Sequence, residues 1–130
     1  MKTTDSPQEK LAMTVKKLIE PSTWPEFLTQ FSERNRDRRA RFELFRRDGE
    51  VAEESREGHF DGATVDGRIV TIKRTYETSG ESKTMSDELH DTHGIEVQYD
   101  TDGSEDTIEF TDHKGDMTVL HFESRVDGDS

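Results

Sequence analysis

Large apolar residues first recur along the chain at the spacing of an amphipathic helix. Thr23 and Glu26 have the spacing of a capping box just before them, and Pro25 suits the first turn of a helix. The pattern predicts a helix that begins at Trp24 and ends at about residue 35 or 36. The residues at positions i, i+3, i+4 and i+7 are Trp24, Phe27, Leu28 and Phe31.

Beyond residue 39 the period changes to alternation of apolar and polar residues, which is typical of strands with one buried face. Turn pairs such as Asp66-Gly67 and Asp102-Gly103 separate the alternating segments. We therefore predict an α+β fold, in which one main amphipathic helix packs on a mostly antiparallel sheet of about five to seven short strands. The predicted sheet face of the core consists of Phe42, Leu44, Val70, Ile72, Ile95, Val97, Ile108, Phe110, Leu120 and Phe122.

The length of 130 residues fits one domain. We expect a single α+β domain over residues 18–126, with residues 127–130 as a frayed tail. Residues 1–17 are interpreted as an N-terminal extension, partly frayed or helical. The segment 10–20 has apolar residues at helical spacing but also fits a short strand, and the sequence leaves both structures open.

Composition narrows the classes of function. With 28% hydrophobic and 37% charged residues, the chain has only a thin core. The absence of cysteine excludes disulfides, thiolate catalysis and cysteine-ligated metals. No stretch of the sequence approaches the about 20 apolar residues of a membrane span, and no apolar leader begins the chain. We expect a cytoplasmic protein that binds no membrane.

Charge is distributed unevenly. Residues 1–48 carry 11 Lys/Arg and 8 Asp/Glu, whereas residues 49–130 carry 7 Lys/Arg and 22 Asp/Glu. The acid excess and the 11 arginines against 7 lysines resemble proteins adapted to salt. An ordinary acidic cytosolic protein is the alternative. The net charge of -12 also disfavours binding to nucleic acid in general.

An arginine strip over residues 34–47 is the first candidate site. Guanidinium groups match phosphate oxygens, so nucleic-acid or phosphate binding is one reading of this strip. The favoured reading is internal pairing with the acidic neighbours, because the field of the whole chain opposes a polyanion. The strip begins with Arg34, and its candidate partner surface consists of Arg36, Arg38, Arg39, Arg41, Arg46 and Arg47.

His90 and His93, with Asp87 upstream, are weak candidates for a metal site, which would suit a metal-dependent enzyme. On a strand the two imidazoles would point to opposite faces, so we favour exposed turn histidines and predict no metal. The acidic run 100–106 lacks the glycine and the bidentate glutamate of a calcium loop, and is interpreted as a hairpin turn.

The sequence contains no GxSxG, GxGxxG or P-loop motif, and we predict no catalytic residue and no cofactor. The prediction is a non-enzymatic binding or assembly module, with a protein partner or self-association as a homodimer. No small-molecule ligand is implied by the sequence.

Four segments of the chain carry a resemblance to a known family. They are the run from Thr23 to Ser32, the segments Gly94-Ile95-Glu96-Val97 and Asp106-Thr107-Ile108-Glu109-Phe110, and Leu120-His121-Phe122. Over residues 18–126 the chain resembles a family of small prokaryotic proteins known as a domain of unknown function. The resemblance implies a Trp-led helix followed by an antiparallel sheet, and no catalytic residues.

The acidic region predicts that the midpoint of thermal unfolding rises with KCl, because salt screens repulsion among carboxylates. Circular dichroism from about 0.05 M to about 3 M KCl measures this. A rise that continues through molar salt would indicate adaptation to brine, and one that stops at a few tenths molar would indicate ordinary screening. A midpoint that falls throughout would contradict the argument from repulsion.

Overall fold

The structure, a computed structural model, describes residues 15–48 and 50–123, with the backbone alone for residues 51–57. Expectations for residues 1–14 and 124–130 therefore lie outside the described residues. A single 3-10 turn, Pro21–Thr23, precedes the helix. The elements in chain order are β1 (Val15–Leu18), α1 (Trp24–Asn35), β2 (Arg39–Phe45), β3 (Val51–Asp66), β4 (Ile69–Thr78), β5 (Glu81–Leu89), β6 (Thr92–Tyr99), β7 (Glu105–Asp112) and β8 (Met117–Phe122).

All eight strands of the described residues belong to one sheet, in the order β1-β6-β7-β8-β2-β3-β4-β5, and every pair is antiparallel. Two meanders, β2 to β5 and β6 to β8, are joined edge to edge by the pairing of β2 with β8. Strand β5 is one edge of the sheet, and β1 is the other.

The sheet is rolled, because two residues connect strands that lie far apart in its order. His90 and Asp91 alone separate β5 from β6, although five strands lie between them in the sheet. The Thr92 backbone N–H donates to the Arg68 carbonyl (2.9 Å), and the His113 N–H donates to the Asp91 carbonyl (3.0 Å). Asp91 has a positive φ of 56°, a conformation that aspartate tolerates better than most residues. The inner face of the rolled sheet therefore encloses the core.

The helix α1 has the predicted bounds and covers one end of this inner face. Its start differs from the prediction, because the Thr23 hydroxyl donates to the Glu20 carbonyl (2.7 Å) and makes no capping bond. The Trp24 indole N–H donates to the Ile19 carbonyl (3.1 Å), and the Ser32 hydroxyl accepts from the Ala63 N–H (2.9 Å). These bonds hold the helix to the chain that enters it and to β3.

The core contains most of the predicted residues. Trp24, Leu28 and Phe31 are buried, whereas Phe27 and Leu44 are only half-buried. A cluster of aromatic rings joins the helix to the sheet, with Phe31 5.7 Å from both Phe60 and Phe122. The rings of Phe60 and Phe122 meet edge to face at 5.5 Å, which is a favourable arrangement. Buried apolar residues that the prediction omitted are Ile19, Ala40, Phe60, Ala63 and Val119.

The α+β class and the antiparallel sheet are confirmed, but the predicted number of about five to seven strands is wrong. The described residues form eight. The sequence left the segment 10–20 open between a helix and a short strand. Its residues Val15–Leu18 form a strand, β1, which pairs with β6. Strand β5 carries so many charged and small polar residues, ESKTMSDEL, that alternation is weak. It forms because β4 pairs with it over nine residue pairs.

Replacing Phe31, which is 0% exposed, with alanine should lower the free energy of unfolding by about 3–5 kcal/mol, because the cavity would lie among packed rings. Urea denaturation measures the change. Phe27→Ala is the matched control on the same helix and should cost about half as much, since Phe27 is half-buried. Equal losses in the two variants would contradict the assigned burial.

Candidate binding cleft

The helix leaves part of the inner face of the sheet uncovered, and this part is a cleft of about 420 Å³. One wall comes from β5, and the other from β7, β8 and the end of β2. Its apolar surface is provided by Phe42, Leu44, Met85, Leu89 and Phe110. The polar residues that line it are Arg74, Asp87, Glu88, His90, Thr92, Thr111, Asp112, Asp116 and Thr118.

Arg74 is the most unusual residue of the cleft, because its charged side chain is only 9% exposed. It follows Val70 and Ile72 at alternate positions of β4, so the strand points it to the inner face. Its Nε donates to Oδ2 of Asp87 at 3.2 Å, and its Nη2 lies 3.1 Å from the Met85 sulfur. The Phe42 ring covers the guanidinium, with 4.4 Å from its Cζ to the ring centroid.

The hydrogen-bonding capacity of Arg74 is only partly used. A guanidinium has five N–H donors. Among the described residues, one donor of Arg74 reaches a carboxylate and one reaches a thioether sulfur, which is a weak acceptor. Buried donors without acceptors are unfavourable, so the remaining donors need solvent or a ligand in the cleft.

Besides Asp87, which contacts this guanidinium, other acidic residues line the cleft and its entrance. Asp112 Oδ1 accepts from the backbone N–H groups of Lys114 and Asp116, and Asp116 Oδ1 accepts from the backbone N–H of Arg47. These bonds fix the turn between β7 and β8 at the entrance. The described residues that line the cleft include four acidic residues and one arginine, so their formal charge is negative.

The structure brings the first half of the arginine strip into internal pairs. Arg34 Nε donates to Glu105 Oε2 (2.9 Å), and the Glu105 carboxylate also accepts from the Asn35 side-chain amide (3.1 Å). Arg38 donates to the Glu105 carbonyl (2.7 Å) and to the Glu123 carbonyl (2.7 Å). Glu105 is 6% exposed and Asn35 is 0% exposed, so this network ties the end of the helix to β7.

The other arginines of the strip are not gathered into one surface. Arg36 donates from Nε to the Asp61 carbonyl (3.0 Å), and Arg39 pairs with the Glu123 carboxylate (3.3 Å). Arg41, Arg46 and Arg47 are exposed on and after β2. The geometry thus favours internal pairing for the residues nearest the helix.

The three residues considered for a metal have separate neighbours. Asp87 contacts Arg74, and the His90 Nε2 lies 3.1 Å from Glu88 Oε1. His93 is exposed, with its ring 6.2 Å from that of His113. Among the side chains that the structure describes, which exclude those of residues 51–57, no three from His, Asp or Glu are grouped as metal ligands. The acidic run 100–106 comprises the turn between β6 and β7 and the first two residues of β7, and Asp102 accepts from the Ser104 backbone N–H at 2.9 Å.

The sequence analysis did not identify Arg74 as a candidate site residue. The signal was present, because Val70, Ile72 and Arg74 occupy alternate positions of one strand and must face the same side. An arginine at the third inward position is a buried charge that needs a partner. The partner Asp87 had no such signal, since the pairing of β4 with β5 sets its position.

Comparisons of the chain with protein-family models, curated proteins and solved structures found no match. The resemblance to a prokaryotic family therefore stays a prediction. The part of the chain that the structure describes has no helix with the length and apolar character needed to cross a membrane.

Tyr99 reports on the network around Glu105. Burial raises the pKa of Tyr99, the Glu105 carboxylate raises it further, and Arg34 lowers it. Glu105→Gln should therefore lower this pKa, although burial, the larger cause, should keep it above that of a free tyrosine. Absorbance titration in a Tyr76→Phe background measures Tyr99 alone, since the chain has two tyrosines. The exposed Glu77→Gln is the control, and an unchanged Tyr99 pKa in Glu105→Gln would contradict the assigned network.

Proposed function

We propose that the protein is a non-enzymatic binding domain whose cleft holds a small molecule with an apolar body. The observation that carries the proposal is the Arg74 guanidinium, which is buried at the wall of the cleft and has N–H donors that no described residue fills. Ligand sites are typically apolar cavities of about 300–1,000 Å³ with a few placed polar groups. The cleft, at about 420 Å³, has the size of such a site, and Phe42, Leu89 and Phe110 give it an apolar wall.

The alternative reading of Arg74 is a purely structural ion pair. A buried pair contributes little net stability unless hydrogen bonds satisfy both partners, and an apolar pair of similar volume is often as stable. Arg74 and Asp87 share one hydrogen bond, and Asp87 is 29% exposed. This pair is thus poorly arranged for stability and well placed to receive a ligand.

Self-association and nucleic-acid binding, which the sequence also suggested, remain proposals separate from the cleft. Self-association draws support from β1, an edge strand whose Val15 and Leu18 are 57% and 70% exposed. Nucleic-acid binding through the arginine strip draws less support, because Arg34 and Arg38 donate to Glu105. Adaptation to salt concerns the acidic surface and is independent of the cleft.

The test is a fragment screen by two-dimensional amide NMR with small neutral and charged aromatic molecules. Binding should shift the amides of residues that line the cleft, such as Leu89, Phe110 and Thr118. Arg74→Met should reduce the affinity of those fragments about tenfold or more, because about 1.4 kcal/mol of hydrogen bonding is lost. Lys73→Met is the matched control, since Lys73 is the exposed neighbour on the other face of β4.

A second variant covers the case in which Arg74→Met does not fold. Leu44→Trp replaces a half-buried aliphatic side chain of the cleft wall with a bulky indole and should block the same fragments while both residues of the ion pair are kept. Fragments that shift other surfaces, or that bind Leu44→Trp as well as the parent protein, would contradict the proposal.

A further inference from the structure

The pair at the cleft offers both kinds of hydrogen-bonding group to a ligand. Oδ2 of Asp87 accepts from Arg74 Nε, and no described residue donates to Oδ1 of Asp87. On the other partner, no described residue accepts from Nη1 of Arg74. The Asp87 side chain is 29% exposed, so its carboxylate can accept a further hydrogen bond from a ligand. A ligand that matches the pair needs one acceptor for the guanidinium and one donor for the carboxylate.

The charge of the cleft then decides between ligand classes. An anion would satisfy Arg74, but it would enter a space lined by the carboxylates of Asp87, Glu88, Asp112 and Asp116. Like charges within several ångströms repel strongly in a partly buried site. A cation would be attracted by the carboxylates, but it would be repelled by Arg74 and would leave its donors unfilled. A neutral head group avoids both penalties.

We propose that the cleft selects a neutral carboxamide-type head group on an aromatic or other apolar body, which rests on the proposed binding function. Such a head group carries an acceptor for the unused N–H donors of Arg74 and a donor for the Asp87 carboxylate. The body of the ligand packs along Phe42, Leu89 and Phe110, which line the same cleft. Asp87 therefore determines the specificity of the site, and Arg74 anchors the ligand.

Three probes of nearly equal shape test the head group: benzamide, benzoate and benzamidine. Benzamide is neutral with an acceptor and donors, benzoate is an anion with acceptors only, and protonated benzamidine is a cation with donors only. Dissociation constants come from NMR titration of the cleft amides at neutral pH. We expect benzamide to bind about tenfold more tightly than either charged probe, since each charged probe leaves one partner unsatisfied.

Asp87→Asn provides the sharper prediction. The substitution removes the nearest carboxylate charge, so the ratio of benzoate affinity to benzamide affinity should rise about tenfold. Glu77→Gln is the matched control, because it removes one negative charge from an exposed position of β4 and should leave the ratio unchanged. The comparison of probes on the parent protein needs no variant and remains decisive if Asp87→Asn does not fold.

The outcomes separate the two proposals. If benzoate or benzamidine binds the parent protein more tightly than benzamide, the head-group inference is wrong, and the cleft is still a binding site. An unchanged probe ratio in Asp87→Asn would likewise overturn the role of Asp87. If none of the probes shifts the cleft amides and the fragment screen finds no other ligand there, the proposed binding function fails as well.

Discussion

The two-residue link between β5 and β6 is the constraint on which the rest of the structure depends. His90 and Asp91 connect strands that have five others between them, so the sheet has to roll. One helix is about 10 Å wide and covers about two strands, which lie about 4.8 Å apart. A flat sheet of eight strands would leave most of one face uncovered. Rolling lets the strands cover one another, and this suits a chain with 28% hydrophobic residues.

The thin core also explains where the polar groups lie. Helix α1 fills one end of the rolled sheet with Leu28 and Phe31, and its last turn is held by Arg34 and Asn35 on Glu105. Charge-assisted hydrogen bonds of this kind are stronger than neutral ones, and the three partners fix the helix end. Much of the arginine density thus serves the fold. The uncovered end of the inner face is the cleft.

The helix was predictable from sequence because its signal is local, with apolar residues at helical spacing and Pro25 in the first turn. Strands such as β6 and β7 were predictable because each alternates over several residues. Strand β5 and the cleft could not be predicted from the sequence, because they depend on pairing between distant segments. Asp87 faces Arg74 only because β5 returns antiparallel to β4 in one register.

The register of β4 and β5 determines which side chains lie beside Arg74. Met85 lies directly opposite Arg74, and Asp87 lies opposite Ile72 on the same face. A shift of one residue in the pairing would turn Asp87 to the outer face and leave the guanidinium without a carboxylate. The short link to β6 resists such a shift, because Thr92 and Asp91 are bonded to Arg68 and His113. The constraint that rolls the sheet therefore also positions the charged pair, and the two features should be lost together when the link is lengthened.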